Sequence, residues 1–147
     1  DGDVTMTESA GISQYLVDCY GPTDLGLKPG DKEYGTYINW LHRSDATLTF
    51  PQTLVLRYTR LEPEERRIPQ VAEDYQRWFL SRLRCVEEAL SDRNYLCANR
   101  FTIADICIGY ALVLAESLGL SNSFKPSTKR YYSMLKERPA FRRAAEL

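Results

Sequence analysis

From Ile103 to Ala115 the chain carries a single charge, Asp105, among aliphatic, small and aromatic residues. A helix that is apolar on every side has no face to give to water, so this stretch predicts a central helix enclosed by others. It is too short to cross a bilayer, which leaves a protein core as its place. Elsewhere apolar positions recur at helical intervals. Tyr34, Ile38, Leu41, Leu48, Leu54 and Val55 predict a first long helix from Asp31 or Lys32 to about Tyr58. Pro51 bends or interrupts it, because proline has no amide hydrogen and its ring crowds the preceding turn. Val71, Tyr75, Trp78, Phe79, Leu83, Val86 and Leu90 mark a second helix, opened by Pro69 and paired antiparallel with the first. Lys125-Pro126 opens another, with Tyr131, Met134 and Leu135 on its buried side, and Pro139 starts a short last one through Phe141.

The central helix has marked ends. Thr102 is placed as N-cap over the Asp105 amide while the Asp105 carboxylate reaches back to the Thr102 amide, a capping box with Asp in place of Glu or Gln. Phe101 and Ile106 stand at the spacing of a hydrophobic staple, which fixes how the chain enters the helix. The positive end of the helix dipole makes a buried Asp105 tolerable. Gly119, free to take a left-handed conformation, is placed to stop the helix.

The first thirty residues read differently. Asp1-Gly2 is a hairpin-turn dipeptide and Val4 to Thr7 reads as a short strand, which on its own exposes an unpaired edge and so calls for a sheet preceding residue 1. Ile12, Tyr15, Leu16 and Cys19 then fall at helical spacing with Ser9 as cap. Gly21 to Gly30 gathers much of the chain's glycine and proline and reads as a linker. The expected organisation is therefore a strand-and-helix remnant over 1–20, a linker over 21–30 and an all-helical domain over 31–147.

Glu8-Ser9 is the pair that points to a ligand. A serine hydroxyl beside free amides at a helix N-terminus suits a carboxylate, and the neighbouring carboxylate suits an ammonium, so an amino-acid-like end fits both. The same residues also fit an ordinary helix start.

Composition narrows the partners. The 147 residues are 44% apolar, and 19 basic against 20 acidic side chains give a net charge of -1 with no long basic run, so nothing points to nucleic acid. Four separated cysteines and one histidine argue against a zinc site of the usual kind. Cys85 and Cys107 lie in helical patterns and read as buried reduced thiols, which fits the cytoplasm, while Cys19 and Cys97 are open to modification if exposed. No targeting or membrane-spanning segment is visible.

Phe101-Thr102-Ile-Ala-Asp105, the small apolar helix after it, and then Tyr131-Tyr132, Leu135, Arg138-Pro139 and Phe141-Arg142 together resemble the C-terminal helical domain of a cytosolic glutathione transferase of the bacterial type. The resemblance covers essentially the whole chain. It implies a mainly α fold, a helical bundle preceded by the end of a thioredoxin-like domain, with Phe101, Thr102, Asp105 and Ile106 serving folding and not chemistry. It also implies that Glu8 and Ser9 hold the γ-glutamyl end of glutathione, the co-substrate, with no metal required.

The residue that activates the glutathione sulfur in this family, a Tyr, Ser or Cys, is expected before residue 1, so no catalytic residue is assigned and the chain by itself is expected to be inactive. By the family layout Tyr37, Leu41, His42, Leu48 and Tyr110 belong to the pocket for a small hydrophobic electrophile. Helix packing accounts equally for the three apolar residues Tyr37, Leu41 and Leu48, and for His42, a lone histidine without a placed partner, a surface or packing place is the stronger reading. Asp45 stands where an acid reaches the glutathione of the partner subunit, a match of helix position alone. The implied whole is a cytoplasmic homodimeric transferase without a nucleic-acid or membrane partner. Its rivals are a glutathione-dependent isomerase, reductase or dehalogenase and, in another class, a non-catalytic assembly module, which retention of Glu8-Ser9 argues against.

Overall fold

A computed structural model describes residues 1–146, and every regular element among them is helical. α1 is Ser9–Cys19. α2, Tyr34–Arg43, runs through a π-helical stretch, Ser44–Thr49, into α3, Phe50–Leu56. Then come α4, Pro69–Ala89, α5, Ile103–Ser117, α6, Pro126–Lys136, and α7, Pro139–Ala145. α5 is the centre: it touches α1, α2, the π-helical stretch and α6. Its Ile103, Ala104, Ile108, Ala111, Leu112 and Ala115 are buried, but Ile106, Tyr110 and Val113 are exposed, so the helix expected to be enclosed on every side keeps one side uncovered.

The interruption expected at Pro51 takes the form of a widened helix. Pro51 has no amide to give the Thr47 carbonyl, and the amide of Phe50 just before it bonds the Asp45 carbonyl, five residues back. The helix therefore continues past the proline. Fully buried Gln52 ties it to α5, its Nε2 donating to the carbonyls of Leu48 and Ala111 at 3.0 Å each.

At the start of α5 the capping box is closed in both directions. The Thr102 amide donates to Asp105 Oδ2 at 2.8 Å, while Oδ1 accepts from the Leu96 amide at 3.1 Å and the Tyr131 hydroxyl at 2.9 Å. One carboxylate thus joins the approach to α5, its first turn and α6. At the far end Gly119 has φ +78°, and the amides of Gly119 and Leu120 bond the carbonyls of Glu116 and Ala115 at 2.9 Å. These are the two bonds of a Schellman stop. Midway, Gly109 lets α6 come close, since a Cβ there would lie 3.1 Å from Leu135 Cδ1.

Two expectations are corrected, the strand at Val4 to Thr7 and the burial of Ile106. Val4 to Thr7 is not a strand: a turn forms at Asp1–Val4, but no second strand is available among the described residues to complete a ladder. Instead the Asp1 carboxylate accepts the hydroxyls of Tyr15, at 3.0 Å, and Tyr20, which fold this segment onto α1. Residues 21–30 pack against the helical domain: Leu27 is buried, the Leu25 carbonyl accepts the Ile103 amide at 2.8 Å, and Arg100 donates to the carbonyls of Asp24 and Gly26 at 2.9 Å. Ile106 is not the buried half of a staple. It is 43% exposed, while Phe101 packs edge-on to Tyr95 with the Arg138 guanidinium over its ring.

Candidate functional site

α1, the π-helical stretch with α3, and the outer side of α5 enclose an open cleft of about 630 Å³. Each wall has a local cause. On the first, Glu8 and not Ser9 occupies the N-cap of α1, and no side chain caps the helix. The amides of the first turn have no intrahelical acceptor and end the helix with partial positive charge. Glu8 and Ser9 are both exposed and both line the cleft, with Thr7 before them and Ser13 one turn on.

The second wall comes from the widened helix. Asp45, Thr49 and Thr53 recur every fourth residue and line the cleft together, and Phe50 projects beside them with 57% of its surface exposed. Thr53 donates to the Phe50 carbonyl at 2.7 Å, whereas the buried Thr49 hydroxyl has no partner among the described residues. The third wall is α5, through Ile106, Cys107 and Tyr110. Burial pushes the Cys107 thiol up to about 11, with the Asp45 charge adding to the rise, so this cysteine holds its proton at neutral pH.

Of the residues singled out from sequence, Glu8, Ser9, Asp45 and Tyr110 meet in this cleft. Tyr37, Leu41 and Leu48 do not. Each is at most 2% exposed and lies in the core, because the bulky apolar stripe of this helix is taken up by α5. His42 is exposed and outside the cleft lining. Asp45 turns into the cleft of its own chain, beside Glu8 and Ser9. Periodicity missed Phe50, Thr49 and Thr53, although the Pro51 interruption was a signal that this helix does something irregular there.

The profile of the Glutathione S-transferase, C-terminal domain, matches residues 45–139. The chain belongs to this glutathione transferase domain family. Glutathione S-transferase 3 of Schizosaccharomyces pombe is 28% identical over 159 residues, which cover 99% of this chain and 64% of that protein. Glutathione S-transferase GstA of Escherichia coli O157:H7 is 30% identical, covering 95% of this chain and 66% of its own length. The chain thus spans somewhat under two thirds of these two transferases. Among solved structures, Ure2p5 from Phanerochaete chrysosporium, cocrystallized with 1-(S-glutathionyl)-2,4-dinitrobenzene, superposes with a TM-score of 0.88 at 26% identity over 99% of this chain and 69% of Ure2p5. Transferase-family residues 45–139 include the π-helical stretch, α5 and its capping box, while α1 lies outside the matched range. No helix among the described residues is long and apolar enough to cross a membrane.

Proposed function

We propose that the protein holds glutathione in this cleft and, as a whole protein, transfers it to a small hydrophobic electrophile. The observation that carries the reading is the uncapped N-terminus of α1, with Glu8 and Ser9 opening into a cleft whose opposite wall is Phe50, Ile106 and Tyr110. The γ-glutamyl carboxylate is anionic and takes the Ser9 hydroxyl with the free amides. The adjoining ammonium takes Glu8. Asp45 lines the same cleft and stays outside this contact. The apolar wall then holds the acceptor against the sulfur, so positioning supplies much of the rate.

In this reading the group that activates the sulfur belongs to a part of the protein beyond residues 1–147, and the working form is a cytoplasmic homodimer. The end of a thioredoxin-like domain over 1–20, a linker over 21–30 and the helical domain over 31–147 remain the proposed division. Calorimetric titration of the full-length protein with glutathione is the test. Ser9→Ala and Glu8→Gln are each expected to weaken binding about tenfold, the loss of one charge-assisted hydrogen bond. Unchanged affinity in both variants overturns the assignment of the two residues. Tight binding with no conjugation of any acceptor transfers the argument to the glutathione-dependent isomerase, reductase or dehalogenase readings and to the assembly module.

A further inference from the structure

Resting on the glutathione-transfer reading, one feature of the cleft goes beyond it: its charge. Among the described residues no lysine, arginine or histidine lines it, whereas Glu8 and Asp45 both do. Neither carboxylate makes an ion pair among the described residues. Bound glutathione brings one ammonium, which Glu8 takes. The Asp45 charge is left facing the space next to two aromatic rings that are more than half exposed, Phe50 at 57% and Tyr110 at 54%.

We propose that the acceptor side of this cleft selects flat electrophiles bearing a positive charge and disfavours anionic ones, with Asp45 as the counter-charge and Phe50 and Tyr110 as the aromatic walls. A cation gains twice there, from the carboxylate and from the faces of the rings. An anion meets Asp45 and the developing thiolate, and the lining supplied by the described residues offers no cation to offset them. The reaction itself is ordinary substitution: the carbon–sulfur bond forms, the carbon–chlorine bond breaks, and chloride leaves with its electron pair. The thiol proton has already gone to solvent, and nothing is oxidised or reduced.

The test uses the full-length protein and three chloronitrobenzenes matched in ring and leaving group, carrying a trimethylammonium, a methyl or a carboxylate substituent. Turnover of each is divided by its uncatalysed rate with glutathione, and the dissociation constants of the three S-glutathionyl products are measured separately. The expected result is product binding and corrected turnover at least about tenfold better for the cation than for the anion, with the gap shrinking as salt rises. Asp45→Asn should narrow the gap to about threefold or less, and Asp45→Lys should invert it. Equal binding of the three products, or an unchanged gap in both variants, overturns the proposal. If none of the acceptors turns over while the binding order persists, the transfer reading fails and the charge selection stands. If the neutral acceptor turns over with no ranking by charge, only the selection fails.

Discussion

Asp105→Asn removes a charge from the most connected side chain of the fold while barely changing its volume. The carboxylate is fully buried and accepts four hydrogen bonds: the Thr102 amide at 2.8 Å, the Thr102 hydroxyl at 3.2 Å, the Leu96 amide at 3.1 Å and the Tyr131 hydroxyl at 2.9 Å. Asparagine keeps one acceptor oxygen. If that oxygen stays with Leu96 and Tyr131, its NH₂ faces the Thr102 amide, and a buried donor is left unpaired at about 1–3 kcal/mol. The two surviving bonds lose their charge assistance, about 1 kcal/mol each. Against this stands the relief of a desolvated charge, since burial pushes the Asp105 pKa up and the bonds from Thr102, Leu96 and Tyr131 pull it only part of the way back. The net expectation is a loss of about 2–4 kcal/mol, or roughly 5–15 °C in melting temperature for a chain of this size. Urea titration followed by circular dichroism reads it, and the slope should match that of the wild type. Tyr131→Phe removes one of the four bonds and should cost about 1 kcal/mol. A loss below about 1 kcal/mol for Asp105→Asn, or strict additivity in the double variant, refutes the reasoning, because partners in one network must couple.

Glu87 reaches from α4 to cap α6, accepting the amides of Ser127 at 3.1 Å and Thr128 at 2.8 Å and the Thr128 hydroxyl at 2.9 Å. Partial burial pushes its pKa up, but these bonds win and hold it below the ordinary value. Its contribution is therefore present above about pH 4.3, the unfolded value, and is lost as pH falls through the folded one, so Glu87→Gln should flatten the acid limb of a stability-against-pH curve. An unchanged acid limb sinks this. Gly119→Ala places a Cβ at φ +78° and should lower stability by about 1 kcal/mol by thermal melting, with no loss expected if the turn were not left-handed. Timed alkylation with iodoacetamide at neutral pH, read by peptide mass spectrometry, should label exposed Cys19 first and the buried Cys97 and Cys107 last. Early labelling of Cys107 contradicts its protonated, buried state.

The core was legible in the sequence because its signals are local. Periodicity finds the face of a helix that other helices cover, the capping box needs only residues 102 and 105, and Gly119 announces its own turn. The cleft was legible only in part, for two physical reasons. On the helix from Tyr34 to Leu56 the pattern selects Tyr37, Leu41 and Leu48, the stripe that α5 buries. The concavity takes the neighbouring polar stripe of Asp45, Thr49 and Thr53, and amphipathicity does not say which part of a polar face meets a hollow. On α5 the difficulty is the reverse: a helix apolar all round gives periodicity no contrast, so the exposure of Ile106 and Tyr110 is invisible until neighbours are placed. Glu8 and Ser9 were found through the chemistry of a helix start, although their order at the cap was not.

α5 is also where stability and the candidate site become one question. Its rotation about its own axis is set at the first turn by the bonds that hold the Asp105 carboxylate inward. At about 100° per residue, Ile106 must then lie roughly a quarter-turn away, with Tyr110 about 40° and Val113 about 20° from it. These are the three large apolar side chains that α5 exposes, at 43%, 54% and 36%. Two of them, Ile106 and Tyr110, form the apolar wall of the cleft. The same anchoring turns Ile108, Ala111, Leu112 and Ala115 into the core. A small rotation of α5 would withdraw the wall from the cleft and push it into the packing around Leu135, where the absence of a side chain at Gly109 leaves little slack. The capping box lines no part of the cleft, yet it fixes where the acceptor wall stands.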